Sequence, residues 1–118
     1  MKIRMNEKSV RLRLLKSEVE QFRQTGRVDA AIRFSEERAL YYRLMRADVA
    51  EPEVRFNADA LEVLVPLAPA TQWSEGPDVG IYGNTGSVDV LVEKDFRRTS
   101  APSPDDHDRY PNPRSARV

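Results

Sequence analysis

The stretch Ser9–Leu14 reads Ser-Val-Arg-Leu-Arg-Leu, and it leaves the chain few options. Val10, Leu12 and Leu14 alternate with Arg11 and Arg13. A period of two with one apolar face specifies a half-buried antiparallel strand. The same alternation returns 51 residues later in Leu61, Val63 and Val65, and its surroundings return with it. Ile3-Arg4-Met5-Asn6 matches Val54-Arg55-Phe56-Asn57, Val19 matches Ala70, Gln21-Phe22 matches Gln72-Trp73, and Val28 matches Val79. A gap of about three residues then sets Leu40, Tyr42 and Leu44 against Val88, Val90 and Val92. Only four of the 26 ungapped positions are identical, so the agreement in element order and inward positions carries the repeat.

Each unit reads as ββαββ. In the first, Lys2–Met5 and Val10–Leu14 are strands joined by the polar loop 6–9. Ser17 and Glu20 have the spacing of a capping box, N-cap and N3, and predict a short helix over Glu18–Gln24 that Gly26 ends. Val19 and Phe22 share its buried face. Val28–Phe34 and Ala39–Arg46 follow as strands. In the second unit the strands are Glu53–Phe56, Leu61–Val65, Val79–Tyr82 and Val88–Glu93. Its helix is Pro69–Glu75, with Pro69 at N1, Gly76-Pro77 as the stop, and Trp73 in the core.

The fold class is therefore α+β, mostly β. Eight antiparallel strands from two ββαββ repeats are expected to form a barrel or strongly curved sheet, with two short helices covering ends or faces. The chain is one domain over residues 1–96, with halves at about 1–50 and 51–96. Residues 97–118 hold four of the eight prolines and four apolar residues, Ala101, Tyr110, Ala116 and Val118. That predicts an irregular tail with Asp105–Asp108 exposed and mobile, and with Tyr110 as the one residue able to dock.

Composition excludes much chemistry. There is no cysteine, hence no disulfide framework, thiolate metal site or thiol nucleophile. No apolar run is long enough to span a membrane, and residues 1–8 lack a signal-like apolar core, so a cytoplasmic protein is expected. Nineteen basic and nineteen acidic residues cancel, so neither nucleic acid nor membrane is an expected partner. The cancellation hides a split. Residues 1–50 carry twelve Lys/Arg against seven Asp/Glu, whereas residues 51–94 carry two against eight.

The basic residues of the first half fall on the polar faces of strands. Arg4, Arg11, Arg13, Arg33 and Arg43 are the candidate anion-binding residues, because guanidinium forks suit phosphate and carboxylate. The plainer alternative is a solvated outer face neutralised by Glu62, Asp89 and Glu93. A shared concavity for Arg4, Arg11, Arg13 and Arg43 would favour the first reading; scatter over the exterior would oppose it.

No residue reads as catalytic, cofactor-binding or metal-ligating. Asp105-Asp106-His107-Asp108 lies in a proline-flanked segment that does not fix ligands. Gly80, Gly83 and Gly86 sit in a hairpin, unlike a dinucleotide fingerprint. Nothing fixes the spacing of Glu62, Glu93 and Asp95 as acid and base. Tyr110-Pro111-Asn112-Pro113 is the piece of the tail suited to fold back or to meet a protein partner.

Taken together, Met1-Lys-Ile-Arg4, Ser9–Leu14, Leu91-Val-Glu-Lys-Asp-Phe96 and Asp108-Arg-Tyr-Pro-Asn-Pro113 resemble a small bacterial family of about this length with no established function. The resemblance implies no activity, cofactor or site. In that family a Cys commonly follows the Glu-Lys-Asp-Phe run; here Arg97-Arg98-Thr99 stands there instead. A second resemblance, in shape only, is to triphosphate-tunnel barrels. Their Glu-x-Glu-x-Lys strand is absent: the first strand has Lys2-Ile-Arg4, and Glu18-Val-Glu20 is followed by Phe22. The expected function is a non-catalytic binding or interaction domain; the alternative is an enzyme or binder acting on a phosphorylated or carboxylated small molecule through the arginine face.

Overall fold

A computed structural model describes residues 1–98 and 102–113. The first unit supplies β1 (Lys2–Asn6), β2 (Ser9–Leu14), α1 (Lys16–Thr25), β3 (Arg27–Arg33) and β4 (Ala39–Ala47). The second supplies β5 (Glu53–Asn57), β6 (Ala60–Pro66), α2 (Leu67–Glu75), β7 (Gly80–Asn84) and β8 (Asp89–Lys94). They build two four-stranded sheets: sheet 1 in the order β1-β2-β8-β7 and sheet 2 in the order β3-β4-β6-β5.

The class is α+β and mostly strand, as expected, but the barrel is corrected. Each sheet keeps two free edges, β1 and β7 in one and β3 and β5 in the other. Nor are all strands antiparallel: β2 pairs with β8, and β4 with β6, in parallel. The cause is the helical crossover. α1 carries the chain from the end of β2 into sheet 2, and α2 carries it from the end of β6 back into sheet 1. Each hairpin therefore completes its sheet with a hairpin of the other half. The strands that meet at the centre are both second strands, running from hairpin turn to helix end, so they are parallel.

One core joins both sheets and both helices. The inward residues of β2 and β8 (Val10, Leu12, Leu14, Val90, Val92) face those of β4 and β6 (Leu44, Leu61, Val63, Val65), all buried. Phe22 and Trp73, both at 0% exposure, meet edge to face with centroids 5.7 Å apart and join the helices to each other. The Trp73 indole N–H donates to the Val79 carbonyl at 3.1 Å, so the buried ring leaves no polar atom unsatisfied.

Local boundaries differ from expectation where packing competes with capping. α1 begins at Lys16, and the Glu18 carboxylate accepts the Leu15 N–H at 2.9 Å. Ser17 is not the N-cap, and Glu20 instead pairs with Arg23, which pushes its carboxyl down to about 2. Helix α1 must start at once after Leu14 to bring Val19 and Phe22 onto the core. Gly26 does end it, in the left-handed conformation (φ 74°) that glycine adopts without strain. Pro69 is the third residue of α2 rather than the first, where its missing N–H still costs nothing. Val79 precedes β7 and is exposed, so its match to Val28 is also corrected. Val28 faces Leu44 and Ile81 faces Val92, which makes Ile81 the positional counterpart of Val28.

The tail is neither free nor structureless over its described part. Pro104–Asp108 forms a short 3-10 helix. Tyr110 bridges to Phe96 with rings 5.9 Å apart, its N–H on the Asp95 carbonyl at 3.0 Å. The other three apolar tail residues, Ala101, Ala116 and Val118, lie outside the described residues. Arg109 is buried against Asp95 at 3.2 Å and Asp106 at 3.1 Å. Asp108 accepts the Ser17 N–H at 2.9 Å and its hydroxyl, supplying the first turn of α1 with an acidic partner from 91 residues away. Those bonds hold the Asp108 carboxyl below its ordinary range.

Candidate functional site: the outer face of sheet 1

Outward residues of the two sheets fall into cross-strand rows, and equivalent rows have opposite character. In sheet 2 one row reads Asp29, Arg43, Glu62, Arg55 across β3, β4, β6 and β5, with charge alternating at each step. The Arg43 guanidinium sits between its neighbours, 3.0 Å from Asp29 and 3.1 Å from Glu62. In sheet 1 the corresponding row reads Tyr82, Leu91, Arg11, Arg4 across β7, β8, β2 and β1. The next row places Lys2 opposite Arg13. Two successive like-charge pairs thus stand on neighbouring strands, an arrangement that costs stability in a sheet.

β8 turns two carboxylates outward: Asp89, which accepts the Asn84 amide at 2.7 Å, and Glu93, which meets the arginines. Glu93, beside Arg13 on β8, lies 3.1 Å from Arg11 Nε and 3.9 Å from Arg13 Nε, and accepts the Tyr82 hydroxyl at 3.0 Å. Lys2 turns to the buried Asp95 at 3.2 Å. Among the described residues Arg4 and Arg98 have no carboxylate partner. Lys2, Arg4, Arg11, Arg13 and Arg98 line a hollow of about 360 Å³, and Lys2, Arg13, Arg97 and Arg98 border a neighbouring one of about 230 Å³. The backbone sets this convergence: β1 presents Lys2 and Arg4, and β2 presents Arg11 and Arg13, on alternate residues, and the chain leaving β8 sets Arg97 and Arg98 beside Lys2 and Arg13.

Of the five candidate arginines, Arg4, Arg11 and Arg13 come together. Arg33 and Arg43 do not: they lie on the outer face of sheet 2, with Arg33 exposed and Arg43 enclosed by carboxylates. Glu62 is apart on sheet 2, whereas Glu93 and Asp95 both border the smaller hollow, Glu93 paired with Arg11 and Asp95 with Arg109 and Lys2. Asp106 and Asp108 are engaged with Arg109 and Ser17, and His107 Nδ1 meets the Pro104 carbonyl at 3.1 Å, so the four residues do not converge. Sequence reading put Lys2 on the same polar strand faces as the candidate arginines without naming it a ligand, and it missed Arg98 and Tyr82. Lys2 was legible as the β1 neighbour of Arg4; Arg98 and Tyr82 arrive through tertiary placement.

The fold and this face define a two-sheet α+β domain with a cationic surface on one sheet only. The chain belongs to DUF7009, a family of unknown function, whose model matches residues 1–114. No curated protein and no solved structure matches it. Among the described residues no helix is long and apolar enough to cross a membrane.

Proposed function

We propose that this chain is a non-catalytic binding domain for a small multivalent anion, a phosphate or carboxylate compound. Arg4, Arg11 and Arg13 hold the anion, with Lys2 and Arg98 at its margin. One observation carries the assignment: where sheet 2 alternates Asp29, Arg43, Glu62 and Arg55, sheet 1 sets Arg4 beside Arg11 with no acid in the row. The same architecture tolerates full neutralisation, so the fold does not impose the like-charge pairs. An arriving anion relieves their repulsion and gains forked hydrogen bonds. The two ββαββ halves are taken as a duplication whose copies diverged at this face, in a cytoplasmic bacterial protein.

The test is calorimetric titration with pyrophosphate, beside thermal melting. Arg11→Glu, which copies Glu62 of sheet 2 but sets a second carboxylate against Glu93, is expected to abolish binding and to remove the rise in melting temperature that the ligand gives the parent protein. Arg11→Ala should weaken binding about tenfold to a hundredfold, the scale of one charge-assisted hydrogen bond. Absence of binding to pyrophosphate and to tricarboxylates alike, or binding unchanged in Arg11→Glu, would overturn the proposal.

A further inference from the structure

We infer that the anion taken by this face is a nucleoside phosphate, its phosphate on Arg4 and Arg11 and its base on the ring of Tyr82. This rests on the anion-binding reading and names the ligand class. Tyr82 is 54% exposed, yet its ring is fixed at both ends of the side chain. Its hydroxyl donates to Glu93 Oε2 at 3.0 Å. Beneath it is Gly80, where an added Cβ would stand 2.6 Å from the Tyr82 hydroxyl oxygen and 2.8 Å from Cζ. The ring therefore lies down over bare backbone rather than standing out into solvent. A flat aromatic surface borne on a sheet is what a base stacks on, whatever the base.

The ring and the arginine are held by the same carboxylate. Glu93 Oε1 is 3.1 Å from Arg11 Nε, while Oε2 takes the tyrosine hydroxyl. That leaves the outer nitrogens of Arg11, with Arg4 directly across the strand pair, for a phosphate. Tyr82 and Arg11 stand two strands apart with half-buried Leu91 between them, about 10 Å at the backbone. Their side chains shorten that span to the reach between a nucleotide's phosphate and its base. The platform belongs to sheet 1 alone, because the sheet 2 counterpart of Tyr82 is Asp29, paired with Arg43 and Arg27.

Titration of the full chain with pyrophosphate, ADP and ribose 5-phosphate separates the two readings. ADP should bind about tenfold tighter than pyrophosphate, the scale of one stacked base. Ribose 5-phosphate should gain nothing from its sugar. Tyr82→Ala should remove the preference for ADP over pyrophosphate, with circular dichroism reporting an intact fold. Tyr82→Leu, which still covers Gly80, should behave in the same way and so exclude a purely structural role for the ring. Equal affinity for ADP and pyrophosphate, or a preference that survives both variants, overturns this inference and leaves the anion site standing. Failure of all three ligands overturns this inference, and failure of tricarboxylates as well overturns the anion site with it. A ten-nucleotide single strand that binds far tighter than ADP would assign the face to a polymer and overturn the small-ligand form.

Discussion

Phe22 and Trp73 show how one residue per helix ties the molecule together. Each is fully buried, and each touches the other as well as its own sheet. Phe22→Ala and Trp73→Ala are each expected to cost about 3–5 kcal/mol, read from the urea midpoint, as for large aromatics removed from a core. The double variant should cost less than the sum, because the edge-to-face pair is lost once; a coupling of about 0.5–1.5 kcal/mol is expected. Both side chains were legible from helical spacing. The pair between them was not, since nothing local sets two helices 51 residues apart against each other. Tyr110 was also readable, as the one large ring in an otherwise polar tail. Its removal in Tyr110→Ala should cost about 1–2 kcal/mol for a half-buried ring.

At the scale of elements, α1 is the instructive case. Its sequence offers Ser17 as a local cap, yet Ser17 takes its partner from the tail. Asp108→Ala should destabilise by about 0.5–1 kcal/mol, the low end for loss of a cap at an exposed helix start, and Ser17→Ala should be no worse. The pH dependence follows from the same bonds. Asp108 and Asp106 both have folded-state carboxyls lowered from 3.8, the first by Ser17 and the second by the Ser103 N–H. Their stabilising contribution is complete above the unfolded value and falls away as pH drops below it. Tail docking should therefore loosen below about pH 4, visible as faster amide exchange at Ser17 and Tyr110 while the core amides stay protected. In Asp108→Asn the Ser17 part of that transition should disappear.

The whole molecule is two sheets that neither half can complete alone. Either half by itself holds two hairpins assigned to different sheets, each with an unpaired second strand. Residues 1–50 expressed alone are expected to be unfolded or aggregated by circular dichroism and light scattering. The tail is expected to add to this body without building it. A chain ending at Phe96 should fold to the same two-sheet structure with a lower urea midpoint, because Asp95 loses Arg109 and keeps only Lys2. Asp95→Asn in the shortened chain should recover part of the loss by removing the charge left behind. A shortened chain with no cooperative transition would place the tail inside the folding unit.

By itself the sequence determined the eight strands, the two helices, their order, and which side of each strand is apolar. Those properties follow from period-two and helical spacing, and they are settled within a few residues of each position. It also marked Arg4, Arg11 and Arg13 as neighbours, because a hairpin's register is local. Which hairpins share a sheet was decided only by the tertiary structure. A helix of ten or nine residues can return the chain to the same sheet or pass it to the facing one, and the amphipathic pattern is identical in both cases. That single choice made the central pairs parallel and left the sheets open. It also sent Arg33 and Arg43 to a neutralised face while gathering Arg98 and Tyr82 around the arginines that remained.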